Sequence, residues 1–174
     1  MMNRRDFETL LLTLESTPAL VSRAVAAATP AQARLRPAQG RFSLVENVWH
    51  LADLEREGYG ARIGRILCEE SPALLNFDGD RFARERSYQD RDIEMGLTLF
   101  TRARRQNLDT FARLFPAEWR RSGAQEGVGR ITLADIPRMM AEHDRSHGAE
   151  IADLMAMIRG EEPSESARPT SAVA

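Results

Sequence analysis

Apolar residues recur at helical spacing in four stretches of the chain, and between those stretches the periodicity is lost. The first runs from about Arg4 to Ala27, with Phe7, Leu10, Leu11 and Leu14 along one side, followed by Leu20, Val21 and Val25. Thr17 and Pro18 lie inside it and mark either a kink or a fresh start with Thr as cap. The second opens on Ser43-Leu44-Val45-Glu46, a capping box in which serine and glutamate satisfy free amides reciprocally, and continues to about Glu70, ahead of Ser71 and Pro72. A third spans about Asp92 to Phe115 and ends at Pro116. The fourth opens with Thr132 and Asp135 and runs to Arg159 before Gly160, with Pro137 placed to distort its first turn.

No segment alternates apolar and polar residues over strand length, so the pattern predicts an all-α fold. The connections, about Ala28 to Phe42, Ser71 to Gln89 and Pro116 to Ile131, exceed the roughly two to eight residues usual between bundle helices, and such lengths permit crossovers. Residues 1–160 read as one helical-bundle domain. Residues 161–174, EEPSESARPTSAVA, are polar and aperiodic and read as a disordered tail.

Composition narrows the chemistry. The 174 residues carry 24 basic and 26 acidic side chains for a net charge of −2, which gives no broad positive field for nucleic acid or an anionic membrane. Every basic residue is arginine, so Schiff-base chemistry and Walker-type phosphate binding, which need a lysine amine, are excluded. Cys68 is the sole cysteine, which removes intrachain disulfides and thiolate-rich zinc sites and fits a reducing cytoplasm. The N-terminus has acids within its apolar stretch and no small-residue cleavage site, so a soluble, unprocessed protein is expected.

Histidine is scarce, and its placement is the main chemical signal. His143 and His147 are spaced i, i+4 on a predicted helix, so both imidazoles can face one ion. His50 lies on another helix, seven residues past its cap. Three neutral imidazoles would leave coordination positions open, as in a catalytic metal site. Spacing alone leaves ordinary core or surface histidines as an equal alternative.

The surrounding residues resemble the DinB-like superfamily of metal-binding four-helix bundles. The run TPALVSRAVAAATPAQARLRPAQGRFSLVENVWHLADLE is similar to that family's first helix, linker and second-helix HLADxE signature. RIGRILCEESPALLNFDGDRFARERSY is similar to the second-helix end and the loop after it, and ITLADIPRMMAEHDRSHGAEI to the last helix with two histidines. The resemblance implies an up-down-down-up bundle that often forms homodimers, with His50, His143 and His147 as the metal-binding triad. It departs from the family at Glu150, where glutamine is common. Glu150 and Asp53, each three residues after a histidine, are candidates for supporting a ligand ring or attracting a second cation; a solvated helix residue is the plainer reading of both.

Other signals read as structural. Gly58, Gly60 and Gly64 sit inside a capped helix with the wrong spacing for a dinucleotide fingerprint, so close packing is expected. The His143-Asp144-Arg145-Ser146-His147 run has a zincin outline, but aspartate is too short for the base and no third ligand follows. Cys68 reads as a buried, inert thiol, and the cluster Arg102, Arg104 and Arg105 as an exposed face.

All-nitrogen ligation suits one divalent zinc, nickel, iron or copper ion. The family resemblance implies two activities: transfer of a low-molecular-weight thiol, such as bacillithiol or mycothiol, to an electrophilic small molecule, and metal-dependent hydrolysis. Thiol transfer ranks first, hydrolysis second, and a non-catalytic metal-binding interaction protein third.

Overall fold

A computed structural model of the chain describes residues 4–161. The expected tail, from residue 162 onward, and the first three residues lie outside the described part. The helices are α1 (Arg4–Ala27), α2 (Leu44–Asp53), α3 (Ala61–Cys68), α4 (Gly79–Glu85), α5 (Ile93–Arg113) and α6 (Ile136–Arg159). A π-helical segment, Leu54–Gly60, joins α2 to α3 into one rod. That rod, α1, α5 and α6 form the up-down-down-up four-helix bundle, with α1 packed on α6 and α5, and α2 on α5. By length and composition α1 is also the one described helix apolar enough to cross a bilayer; here it is a bundle helix.

Pro18 does not break α1. Its ring has no N–H to give to the Leu14 carbonyl four residues back. Arg104 Nη1 donates to that carbonyl instead, at 2.9 Å. The second stretch is regular at its start, where Ser43 Oγ accepts from the Glu46 amide and Glu46 accepts from the Ser43 amide at 2.9 Å. It is not one regular helix to residue 70, because the turn widens at Glu55. Asn107 Nδ2 reaches into that turn and donates both to the Glu55 carbonyl (3.0 Å) and to its carboxylate (2.9 Å). Close packing holds for two of the three glycines here: a Cβ on Gly60 would lie 3.1 Å from the Glu55 carbonyl and one on Gly58 2.4 Å from Leu54 Cδ1, whereas Gly64 meets nothing within 4 Å.

The all-α expectation missed a minor sheet of β1 (Ala73–Leu74), β2 (Ser122–Gln125) and β3 (Gly129–Thr132). β1 runs parallel to β2, and β2 antiparallel to β3. These strands are too short for alternation to be read along the chain. Thr132 therefore belongs to β3, and α6 starts at Ile136. Asp135 accepts from the Thr132 amide and hydroxyl (2.9 and 2.6 Å), and Pro137 falls in the first turn, where no amide is missed.

Two apolar clusters fill the bundle. One contains Val48, Trp49, Phe100, Ile151 and Met155; the other contains Leu14, Ile63, Phe111, Ile136 and Met140. Polar side chains separate them on every long helix: Thr17 follows Leu14 on α1, Arg104 and Asn107 lie between Phe100 and Phe111 on α5, and His143, Asp144 and His147 lie between Met140 and Ile151 on α6. Two sequence expectations fail. Arg104 is 1% exposed rather than part of a solvated cluster, because three helices supply it with acceptors. Cys68 is exposed rather than buried, because it ends α3 where the rod leaves the core.

Candidate metal centre

The Ser43 cap fixes where α2 begins, and His50 follows two turns later on its buried side, 8% exposed. On α6, the i, i+4 spacing brings His143 and His147 together with ring centroids 4.3 Å apart. The two helices meet so that all three histidines offer a ring nitrogen within 4.8 Å of one another, close enough to share one ion. His50 Nε2 and His143 Nε2 lie 3.0 Å apart.

Protonation is set by burial. Burial, reinforced by His147 and His143, pushes the His50 pKa down to about 3. Burial, with His147 and Arg104 beside it, does the same to His143, also to about 3. Both rings are therefore neutral at physiological pH and keep a lone pair, which is the form that binds a cation.

His147 is oriented by a residue that sequence reading overlooked. Asn47 is fully buried one turn before His50, and its Nδ2 donates to the Ser43 carbonyl at 3.1 Å. That bond fixes the amide so that Oδ1 faces His147 Nδ1 at 2.7 Å. His147 accordingly carries its hydrogen on Nδ1 and leaves Nε2 bare. The only prior signal was its place three residues before His50 on the same helix, which in a capped helical run reads as an ordinary polar position.

Of the two candidate carboxylates, one joins the site. Glu150 Oε2 lies 3.1 Å from His147 Nδ1, and the hydrogen bond from that ring is the main reason its carboxyl is held below the usual range. Arg41 approaches it at 3.8 Å. Asp53 does not support a ligand ring, because its Oδ2 accepts from Tyr88 (2.7 Å) and Arg86 (2.6 Å) and its Oδ1 faces Arg56 at 3.5 Å. Asp144, the zincin-like position, is likewise committed elsewhere, to Arg104 at 2.6 and 2.9 Å.

The triad opens into a cavity of about 420 Å³ whose walls include Arg41, Phe42, Phe77, Gly79 and Glu150. Phe42 and Phe77 flank the His50 ring at centroid distances of 5.6 and 5.8 Å. Gly79, the first residue of α4, covers it so closely that a Cβ would lie 2.4 Å from His50 Cε1. A larger groove of about 850 Å³ between α1 and α6 contains none of the histidines, so size does not locate the chemistry.

Residues 13–151 match the family model of the DinB superfamily. The chain belongs to the DinB superfamily. Among solved structures, this DinB superfamily member is similar to YfiT from Bacillus subtilis, described as a probable metal-dependent hydrolase with an unusual four-helix bundle topology. The two share 22% identity over 93% of this chain and 92% of that one, with a TM-score of 0.83, a likeness of fold. No curated protein matches the DinB superfamily chain described here.

Proposed function

We propose that the chain is a metal-dependent hydrolase in which His50, His143 and His147 hold one divalent transition metal and Glu150 handles protons. The observation that carries this reading is the carboxylate of Glu150, which lines the same cavity as the three imidazoles and is kept ionised by its histidine partner. A bound divalent cation supplies Lewis-acid activation of water and of a substrate carbonyl. Asn47 satisfies the outer nitrogen of His147 without help, so Glu150 is free to exchange that contact for a water molecule. In ester or amide hydrolysis the water oxygen bonds to the acyl carbon while Glu150 takes its proton; the carbon to leaving-group bond then breaks and Glu150 returns the proton to the departing oxygen or nitrogen. Phe42 and Phe77 offer apolar walls for a small acyl group and limit water beside His50. The description of YfiT as a probable metal-dependent hydrolase agrees with this reading.

Transfer of a low-molecular-weight thiol would use the same imidazoles but has no need of a carboxylate base. Cys68 supplies no thiol of its own to the cavity. The two readings separate when zinc- or nickel-loaded protein is given an ester and amide panel and, in parallel, monochlorobimane with and without cellular thiols. The expected result is thiol-independent ester or amide turnover that is lost in Glu150→Gln. Conjugation of the bimane by added thiol, without hydrolysis, would establish the transferase instead; no turnover at full metal occupancy would leave a metal-binding interaction protein.

A further inference from the structure

The second polar cluster of the interior is built around one guanidinium. Arg104 Nη1 donates to the Leu14 carbonyl of α1 at 2.9 Å and to Asp144 Oδ2 of α6 at 2.6 Å. Its Nη2 donates to Asp144 Oδ1 and to Glu55 Oε2 of the π-helical segment, each at 2.9 Å. Thr17 Oγ1 adds a bond to Asp144 Oδ2 at 2.8 Å, and Asn107 holds the other oxygen of Glu55. All four rods of the bundle thus meet at one side chain.

Such an array is a poor way to gain stability, because desolvating two carboxylates and a guanidinium costs about as much as their attraction returns. Its value lies in geometry. A planar fork with fixed donor directions accepts one arrangement of its partners, whereas an apolar contact tolerates sliding by part of a turn. Two of its partners stand beside metal-ligand positions: Asp144 directly follows His143, and Glu55 lies five residues, about 7.5 Å of rise, beyond His50 on the same rod. The bidentate clamp on Asp144 sets the rotation of α6, and the bond to Glu55 ties that rotation to the α2 rod. The Leu14 carbonyl joins only because Pro18 leaves it unclaimed, and the Glu55 carbonyl is stabilised in its widened turn by Asn107. Two local departures from regular helix, on two different rods, converge on one polar cluster.

We propose that Arg104, with Glu55 and Asp144, is a positioning residue for the metal centre: it fixes the register of α6 against α2 and thereby the spacing of His143 and His147 from His50. This inference rests on the metal reading above. It predicts that metal affinity and geometry depend on a side chain that bonds to no imidazole and lines no part of the metal cavity.

The test is Co(II) titration of the full chain, read as affinity and as the visible absorption of the bound ion, with helical circular dichroism checked on each variant. Arg104→Lys keeps the charge but cannot span the fork's acceptors. It is expected to weaken Co(II) binding about tenfold or more, the range seen when support behind metal ligands is removed, and to change the absorption band. Thr17→Val removes one donor from Asp144 at the edge of the array and is expected to weaken binding about threefold, as for one lost neutral hydrogen bond. A folded Arg104→Lys with unchanged affinity and spectrum would overturn the proposal. If that variant does not fold, unchanged affinity and spectrum in Thr17→Val would overturn it. Failure of the unaltered chain to take up Co(II) would remove the metal reading itself, a result distinct from either.

Discussion

The interior holds two polar clusters at the same level of the bundle, and they are built on opposite principles. Around Arg104, both Nη atoms and every carboxylate oxygen have partners, Nε alone goes without one, and the group is sealed from solvent. Burial lowers the pKa of Arg104, but bonds to Asp144 and Glu55 outweigh it and hold the group charged. Around His50, His143 and His147, burial outweighs the nearby carboxylate of Glu150, so the two most buried rings stay neutral, two ring nitrogens face one another at 3.0 Å, and a cavity opens onto them. His50 Nδ1 has no partner at all. A closed cluster holds elements in place; an open one, kept neutral by the same burial, waits for a cation. That difference in charge pairing and access separates scaffold from site better than polarity or burial, which the two clusters share.

The largest effect that tests this contrast comes from the open cluster. His143→Ala is expected to abolish stoichiometric metal binding while leaving the helical circular dichroism intact, because the apolar clusters do not depend on the ion. Collapse of the helical signal would show that the site is structural. In the closed cluster the opposite holds: Arg104→Met leaves Glu55 and Asp144 buried and unpaired, and should cost about 3–5 kcal/mol in urea unfolding. A loss near zero would mean that the carboxylates find other partners.

Acid separates the clusters next. His50 and His143 have folded pKa values of about 3 against an ordinary 6.5. Above about pH 6.5 both rings are neutral in the folded and unfolded chains and add no pH dependence. As pH falls below that, the unfolded chain takes up protons that the folded metal-free chain does not, so stability declines toward pH 3, by at most about 1.4 kcal/mol per pH unit for each ring. Unfolding midpoints at pH 7 and 5 should therefore differ less in His143→Gln than in the unaltered chain.

Gly79→Ala tests the wall of the open cluster. The new Cβ must displace the His50 ring, and metal affinity is expected to fall about tenfold with the bundle intact. Unchanged affinity would show that α4 simply moves aside. The smallest effect belongs to Cys68→Ser, which should leave metal affinity and stability unchanged, with the native thiol reacting readily with Ellman's reagent.

The long helices and the triad were legible because both rest on local spacing: the Ser43 capping box, the apolar stripes and the i, i+4 histidines each report within a few residues. What was missed depends on distant partners. Arg104 looks like its neighbours Arg102 and Arg105 until α1, α6 and the widened turn surround it. Asn47 acquires its role from a histidine 100 positions away. Asp53 and Glu150 have the same spacing from a histidine, yet Tyr88 and Arg86 take the first and leave the second at the site. The three strands contain too few residues to carry a period, and only their pairing defines them.

The pairing of β1 with β2 has a consequence for how pockets in this fold diversify. Ala73 and Leu74 open the connection that carries Phe77 and Gly79 to the metal centre, and they are held against Ala124 and Gln125 of a hairpin with no histidine near it. Gly123 allows that approach, since a Cβ there would lie 2.8 Å from the Pro72 carbonyl. The hairpin is thus a remote handle on the pocket wall. Exchanges in residues 122–132 can re-aim Phe77 through the backbone and alter which molecules fit, while the three imidazoles and the helices that carry them stay as they are.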